Sequence, residues 1–302
     1  MPTPGSVKQL LIPWRDYFRE IKAEFINAAF SILLKLRNFS RKPHNLPGEL
    51  ILTLTSYSPR FPNLHKTIRS LLLQTISPDK IILWISEEEE QIPAEVMKLK
   101  KYGLEIKQCP DSRSYKKIIP ALCDYPNAFL VTADDDLYYE PRWLETITRA
   151  FVNEKVIVCR RAHRPTFEGV GFAPYLSWEH DVVTDGSLAS CLFPTSGAGV
   201  LFPPGSLASE VTQQDFLELC PFADDVWLFV MALRAGTRFR QVGGGFAQVP
   251  WKNSQTVSLM QHNLTDGGND RQLQAVLSRF PVSDTIFASP LGSQKTDDTA
   301  SL

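Results

Sequence analysis

The feature that most restricts how this chain can fold is an alternation. Between residues 49 and 151, apolar runs of strand length alternate four times with segments of helical periodicity. Ile51–Thr55 predicts a strand, and Leu64, Ile68, Leu71 and Leu72 mark one face of a helix ending near Gln74. Lys80–Ile85 comes next with a helix near Ala94–Lys101, then Leu104–Lys107 with a helix near Tyr115–Cys123. The fourth pair is Ala128–Thr132 with a helix over about 142–151. Strands separated by helices line up in parallel, with the helices covering both faces. The expected fold class is therefore α/β, a mostly parallel sheet flanked by helices. After residue 155 the pattern loosens into shorter strands among prolines and glycines, with one clear helix at about Asp225–Arg234.

Composition narrows the function classes. A chain of 302 residues, 43% hydrophobic and 22% charged, can bury a large core without staples. Lys+Arg 32 against Asp+Glu 33 leaves no basic excess for a grip on nucleic acid. Five cysteines, widely spaced and with no Cys-x-x-Cys, argue against a disulfide framework or zinc knuckle and fit a reducing, cytoplasmic compartment. No signal peptide is visible. The longest apolar stretch, Phe25–Leu34, is about half of what a membrane span needs.

Three segments are expected. Residues 1–48 carry eight basic residues against three acidic ones, +5 on a chain whose total is −1. Within them Trp14, Phe18, Ile21, Phe25, Ala28 and Ile32 recur at helical spacing. A basic helix with an aromatic stripe suits a membrane interface. It suits equally a face packed on the main domain or on a second protomer. Residues 49–288 form the main domain, and the polar tail 289–302 is expected to be disordered.

In an open α/β sheet, ligands bind beyond the carboxyl ends of the strands. Every predicted strand here runs into polar residues. Strand one leads into Thr55-Ser56-Tyr57-Ser58-Pro59-Arg60, strand two into Ser86-Glu87, strand three into Asp111-Ser112-Arg113 and strand four into Asp134-Asp135-Asp136. Three adjacent carboxylates repel one another unless a cation or a solvated turn relieves them. On an extended backbone Asp134 and Asp136 point to one side, giving hard oxygen ligands for Mg²⁺ or Mn²⁺ bridging phosphate oxygens. A strand-to-turn junction with an Asp cap is the bland reading. A second acidic cluster, Asp224-Asp225, opens a helix, where caps and the helix dipole also favour Asp.

This order of features, completed by the Gly-rich segment Thr195-Ser196-Gly197-Ala198-Gly199-Val200-Leu201-Phe202, resembles the nucleotide-sugar-dependent glycosyltransferases of the GT-A fold. It is most similar to the family-2-like bacterial enzymes that build surface polysaccharide, and the resemblance covers about residues 49–275. It implies a nucleotide half, about 49–136, an acceptor half, about 137–288, and inverting transfer to a hydroxyl of a glycan or lipid-linked acceptor. The resemblance assigns Asp134 and Asp136 to the metal and nucleotide, and Asp225 to the general base. Asp224 stands where the family has Glu, which leaves the choice between the two acids open.

Around these, Thr55, Ser56, Tyr57, Arg60, Asp111, Lys117 and Asp135 are expected at the nucleotide sugar. Ser196, Gly197, Ala198, Gly199 and Trp178 are expected at the sugar or acceptor, and His262 as a further metal or phosphate ligand. Lys116 and the run Arg160-Arg161-Ala162-His163-Arg164 are softer candidates for phosphate or an anionic acceptor. Expected partners are the donor, the acceptor and a membrane surface met by the N-terminal helix, on the inner face of the plasma membrane. The competing class is a non-catalytic nucleotide- or glycan-binding subunit, which has no need of a second acid. A nucleotidyltransferase would show a Gly-rich phosphate loop after strand one, and Thr55–Arg60 contains no glycine.

Overall fold

The computed structural model describes residues 17–38, 42–88, 91–169, 171–244, 246, 248–252, 254, 267–283 and 286. Its centre is a seven-stranded sheet. The strands are β1 Leu50–Thr55, β2 Lys80–Ile85, β3 Leu104–Gln108, β4 Phe129–Thr132 and β5 Val156–Cys159. Three two-residue strands come after these, β6 Ala162–His163, β7 Phe167–Glu168 and β8 Gly171–Phe172, and then β9 Phe193–Pro194, β10 Val200–Phe202 and β11 Arg238–Gln241. The main sheet has the order β11-β5-β10-β4-β1-β2-β3. β1, β2, β3 and β4 are parallel, as are β5 and β11, and β10 runs antiparallel between β4 and β5. Six strands therefore deliver their carboxyl ends to one edge of the sheet. The mostly parallel α/β architecture is the one expected.

Continuous apolar runs make sense of this, because both faces of the sheet are covered. Leu50, Leu52 and Leu54 pack on one side with the helix Phe61–Leu72 and the helix Trp143–Thr148. Ile51 packs on the other side with Ile82, Trp84, Leu130 and the helix Asp224–Arg234. Each fully buried Leu or Ile adds about 1.5–3 kcal/mol to the driving force for folding. The helix after β1 begins at Phe61, three residues before the expected start, since Pro62 occupies its first turn. The helix expected at Tyr115–Cys123 divides into a 3-10 turn, Arg113–Lys117, and the α-helix Ile119–Asp124, with Pro120 near the start of the latter.

The N-terminal segment is helical over 17–28 and again over Phe30–Asn38. Its expected stripe is not the face that packs. Phe18, Ile21, Phe25 and Ile32 are 48–70% exposed, whereas Ala23, Phe30 and Leu34 are buried. Trp14 and the tail 289–302 lie outside the described residues. No helix among the described residues is long and apolar enough to cross a membrane. All five cysteines are free thiols.

Candidate active site

A cleft of about 910 Å³ opens at the carboxyl edge of the sheet. Its lining includes Thr55, Ser56, Tyr57, Arg60, Asp111, Lys116, Lys117, Asp134, Asp135, Asp136, Ser196, Gly197, Asp224 and Asp225. Residues up to 170 positions apart in sequence thus meet at one place.

The local structure that aims each group is simple. β1 ends at Thr55, and the 3-10 turn Ser58–Arg60 brings the chain round so that Arg60 faces the acid triplet. Its Nη1 donates to Asp135 Oδ1 at 2.8 Å and to Asp136 Oδ2 at 2.9 Å. Ser56 Oγ donates to the other Asp135 oxygen at 2.5 Å. Burial works against the Arg60 charge, but Asp135 and Asp136 outweigh it and hold its pKa above the usual guanidinium value. Asp135 is raised from the usual carboxylate range, chiefly by burial, with Arg60 pulling it back.

Asp134 turns elsewhere. Its Oδ1 accepts from Lys117 Nζ at 2.9 Å, and Lys117 also meets Ser196 Oγ at 2.9 Å and Asp224 Oδ2 at 3.1 Å. Lys116 and Lys117 are 3% and 6% exposed, so they form no solvated helical turn. Lys116 reaches Ser86 Oγ at 2.7 Å and Asp111 Oδ1 at 3.1 Å. A buried ammonium persists only where carboxylates face it. Lys117 has them, and its pKa is held above the usual lysine value although burial opposes it.

The second acid pair starts the helix Asp224–Arg234, yet neither side chain caps that helix. Asp224, 7% exposed, is bound to Lys117 and accepts from Ser196 Oγ at 3.3 Å. Asp225 Oδ1 accepts the Ser196 backbone N–H at 2.9 Å. Burial pushes the Asp225 pKa up to about 7, with the Asp224 charge adding to the rise and Lys117 opposing it. Two adjacent carboxyls thus stand in opposite conditions, one neutralised by a buried ammonium and the other placed to exchange a proton near neutral pH.

The glycines of the segment 195–199 have identifiable tasks. A Cβ at Gly197 would fall on the Asp134 carboxylate. Gly199 has φ +105°, and a Cβ there would lie 2.5 Å from the Trp143 ring. Close packing on the protein's own groups therefore explains both positions. Ala198 is buried and gives its carbonyl to Trp143 Nε1 at 2.8 Å. Ser196 and Gly197 border the cleft, whereas Ala198 and Gly199 do not.

Trp178, expected at the sugar, is 4% exposed among Tyr175, Phe193 and Phe229, and its Nε1 donates to the Ala173 carbonyl at 2.8 Å. It is a core residue, because the chain between β6 and β9 folds its aromatics inward. His262 lies outside the described residues. His163 is buried and accepts the Asp181 N–H on Nδ1 at 2.9 Å, and burial lowers its pKa to about 4, so it is neutral. Arg164 pairs with Glu179 at 2.6 Å on the surface.

Tyr139 has a role that sequence reasoning missed. Its hydroxyl accepts the Asp134 N–H at 2.7 Å and donates to the Gly197 carbonyl at 2.6 Å, tying the triplet to the Gly-rich segment. Tyr175, His180 and Asn269 also line the cleft unforeseen. Tyr139 lies three residues beyond the triplet, which is the sole signal the sequence offers.

The donor set is compatible in kind with a hard divalent cation. Asp134, with a third of its side chain exposed, and Asp136 both border the cleft. Seven carboxyl groups face five Lys and Arg side chains in its lining. Among the described residues no group of three or more His, Cys, Asp or Glu side chains is arranged to hold a metal ion.

No protein-family model and no curated protein sequence matches the chain. Among solved structures it is similar to S. aureus TarS 1-349 in complex with UDP, at 15% identity over 78% of this chain and 73% of that one, TM-score 0.43. It is similar to glucosyl-3-phosphoglycerate synthase from Mycobacterium tuberculosis in complex with Mn²⁺, UDP and glucosyl-3-phosphoglycerate, at 13% identity over 80% and 83%, TM-score 0.42. A third is the mannosyltransferase PcManGT from Pyrobaculum calidifontis in complex with GDP-Man and Mn²⁺, at 13% identity over 86% and 82%, TM-score 0.41.

Proposed function

We propose that this chain is an inverting, metal-dependent glycosyltransferase that moves a sugar from a nucleotide-sugar donor to a hydroxyl of a glycan or lipid-linked acceptor, in the synthesis of surface polysaccharide. The observation that carries the reading is the meeting, in one cleft, of an acid triplet held by Arg60 and Lys117 with a second acid, Asp225, whose pKa burial pushes up to about 7. A binding subunit needs the first of these and has no use for the second.

Each group has a task in this reading. Asp134 and Asp136 are the residues that would hold Mn²⁺ or Mg²⁺, which when bound neutralises the leaving diphosphate. Arg60, Lys116 and Lys117 would add fixed positive charge near it, and Thr55, Ser56, Tyr57, Asp111 and Asp135 line the cleft where the nucleotide would lie. Asp225 takes the proton of the acceptor hydroxyl as its oxygen bonds to the anomeric carbon and the carbon–diphosphate bond breaks. A base must be ionised yet still basic at the working pH, and a pKa near 7 meets both demands. Asp224, already bound to Lys117, fixes the ammonium and leaves Asp225 as the base.

We place the protein on the inner face of the plasma membrane, peripherally. The exposed Phe18, Ile21, Phe25 and Ile32, on a segment with a basic excess, support this. Phe18→Ser with Phe25→Ser is expected to release the protein from anionic vesicles without loss of fold. Retention by the vesicles would refute the placement.

The test of function is calorimetric binding and turnover with a panel of UDP-, GDP-, CMP- and dTDP-sugars, with and without Mn²⁺. One donor is expected to bind only with the ion and to be turned over. Binding without transfer or hydrolysis under any condition would favour a binding subunit.

A further inference from the structure

A second cleft, of about 470 Å³, lies on the same edge of the sheet, where β5 and β11 end. Its walls carry Arg19, Arg142, Arg160 and Arg161, against Glu140 and Asp181. The main cleft shows the opposite balance, with carboxyls in excess. Arg161 borders both, with its Nε donating to Asp181.

The local backbone is shaped around this second site. Arg160 and Arg161 leave β5 directly, and Gly243 and Gly244 leave β11 beside them. Gly243 has φ +79°, and a Cβ there would fall on the Arg160 guanidinium. Only glycine lets the backbone pass while Arg160 keeps its place. Burial lowers the Arg160 pKa, with Glu140 opposing, so an anion in the cleft would stabilise that charge. Clustered guanidinium forks match phosphoryl oxygens in geometry as well as in sign.

We propose that this arginine cleft is a phosphoryl-binding site for the acceptor. It rests on the glycosyltransferase reading: a hydroxyl at Asp225 and a phosphoryl group beyond Arg161 would belong to one acceptor. The acceptor is thereby a phosphate-bearing molecule. The phosphate is that of a soluble molecule or of a lipid headgroup, and Arg19 lies on the same helical segment as the exposed Phe18 and Phe25.

The test is titration of inorganic pyrophosphate into the full chain. Arg142 is 74% exposed, and Arg142→Ala leaves the buried Glu145 still paired with Arg149 and Thr75, so binding is expected to weaken about fivefold. The half-buried Arg160 is expected to matter more, with Arg160→Gln weakening binding by roughly ten- to a hundredfold. Arg113→Ala, in the main cleft, is expected to change little. Vesicles of phosphatidylglycerol separate the two sources. A lipid phosphate predicts co-sedimentation that falls in Arg142→Ala and is competed by pyrophosphate, whereas a soluble one leaves vesicle binding indifferent to both. Absent pyrophosphate binding, or binding that is unchanged in both Arg142→Ala and Arg160→Gln, would overturn the proposal. Nucleoside diphosphate binding, measured on the same proteins, is expected to survive Arg142→Ala. Its absence from the unaltered protein would defeat the donor reading while leaving the pyrophosphate result to stand or fall alone.

Discussion

Asp134-Asp135-Asp136 and Asp224-Asp225 look alike as strings of acids, and they differ in nearly everything around them. The triplet comes after a strand and shares its charge with Arg60 and Lys117. The pair opens a helix, and one buried ammonium serves Asp224 while Asp225 holds its proton to about pH 7. Environment, more than residue type, divides the labour between a charge-holding site and a proton-exchanging one. Lys117 is the hinge of the comparison, because it touches Asp134 in one cluster and Asp224 in the other.

Removing that hinge should have the largest effect. Lys117→Met leaves two carboxylates facing each other without their ammonium, and breaking a buried pair in this way costs about 3–5 kcal/mol. Chemical denaturation is expected to show that loss, with turnover abolished. A variant as stable as the parent would mean that Lys117 bridges nothing of consequence.

Asp136→Ala separates the clusters. It removes one partner of Arg60 and one metal-ligand candidate while sparing the acid pair. Calorimetry is expected to show loss of the Mn²⁺-dependent part of nucleotide binding, and the ionisation near pH 7 is expected to persist. Nucleotide affinity that stays unchanged with Mn²⁺ present would show that the triplet is a solvated turn.

Ser196→Ala is the finest probe. It deletes the hydroxyl between Lys117 and Asp224 but keeps the backbone N–H that Asp225 accepts. The two bonds lost are worth about 1 kcal/mol each at most, so turnover should fall by roughly five- to thirtyfold. An apparent pKa that moved by more than one unit in this variant would show that the hydroxyl, and not burial, sets Asp225.

How far the sequence anticipates these clusters depends on periodicity. β2 is found over the same residues as its apolar run, since a strand buried on both faces announces itself. The triplet is legible at a strand end for the same reason. β10 is not, because Val200–Phe202 sits inside a Gly-rich segment and its antiparallel pairing with β4 and β5 depends on distant residues. Trp178 is misread as a sugar contact because the chain between β6 and β9 has only two-residue strands, which leave no pattern of inside and outside. The N-terminal stripe is visible, but its exposure results from a smaller face, Ala23, Phe30 and Leu34, taking the contact. The partners Arg60 and Lys117 lie 75 and 17 residues from the acids they hold, and no local signal couples them.

Whether Asp225 is the base is tested most directly by the pH dependence of turnover in Asp225→Asn. A carboxyl raised to about 7 must ionise before it accepts a proton, so turnover of the unaltered protein should rise with pH through about 7. The same shift links to folding with the opposite sign. The contribution of this group to stability is full below about pH 4 and is lost as pH rises through about 7. Asp225→Asn should lower turnover by roughly 10² to 10⁴, flatten the rise near pH 7 and leave nucleotide affinity in place. Asp224→Asn should do less to turnover. Near-full turnover in Asp225→Asn with the rise near pH 7 intact would contradict the account, and a dead Asp224→Asn beside it would move the base one residue upstream.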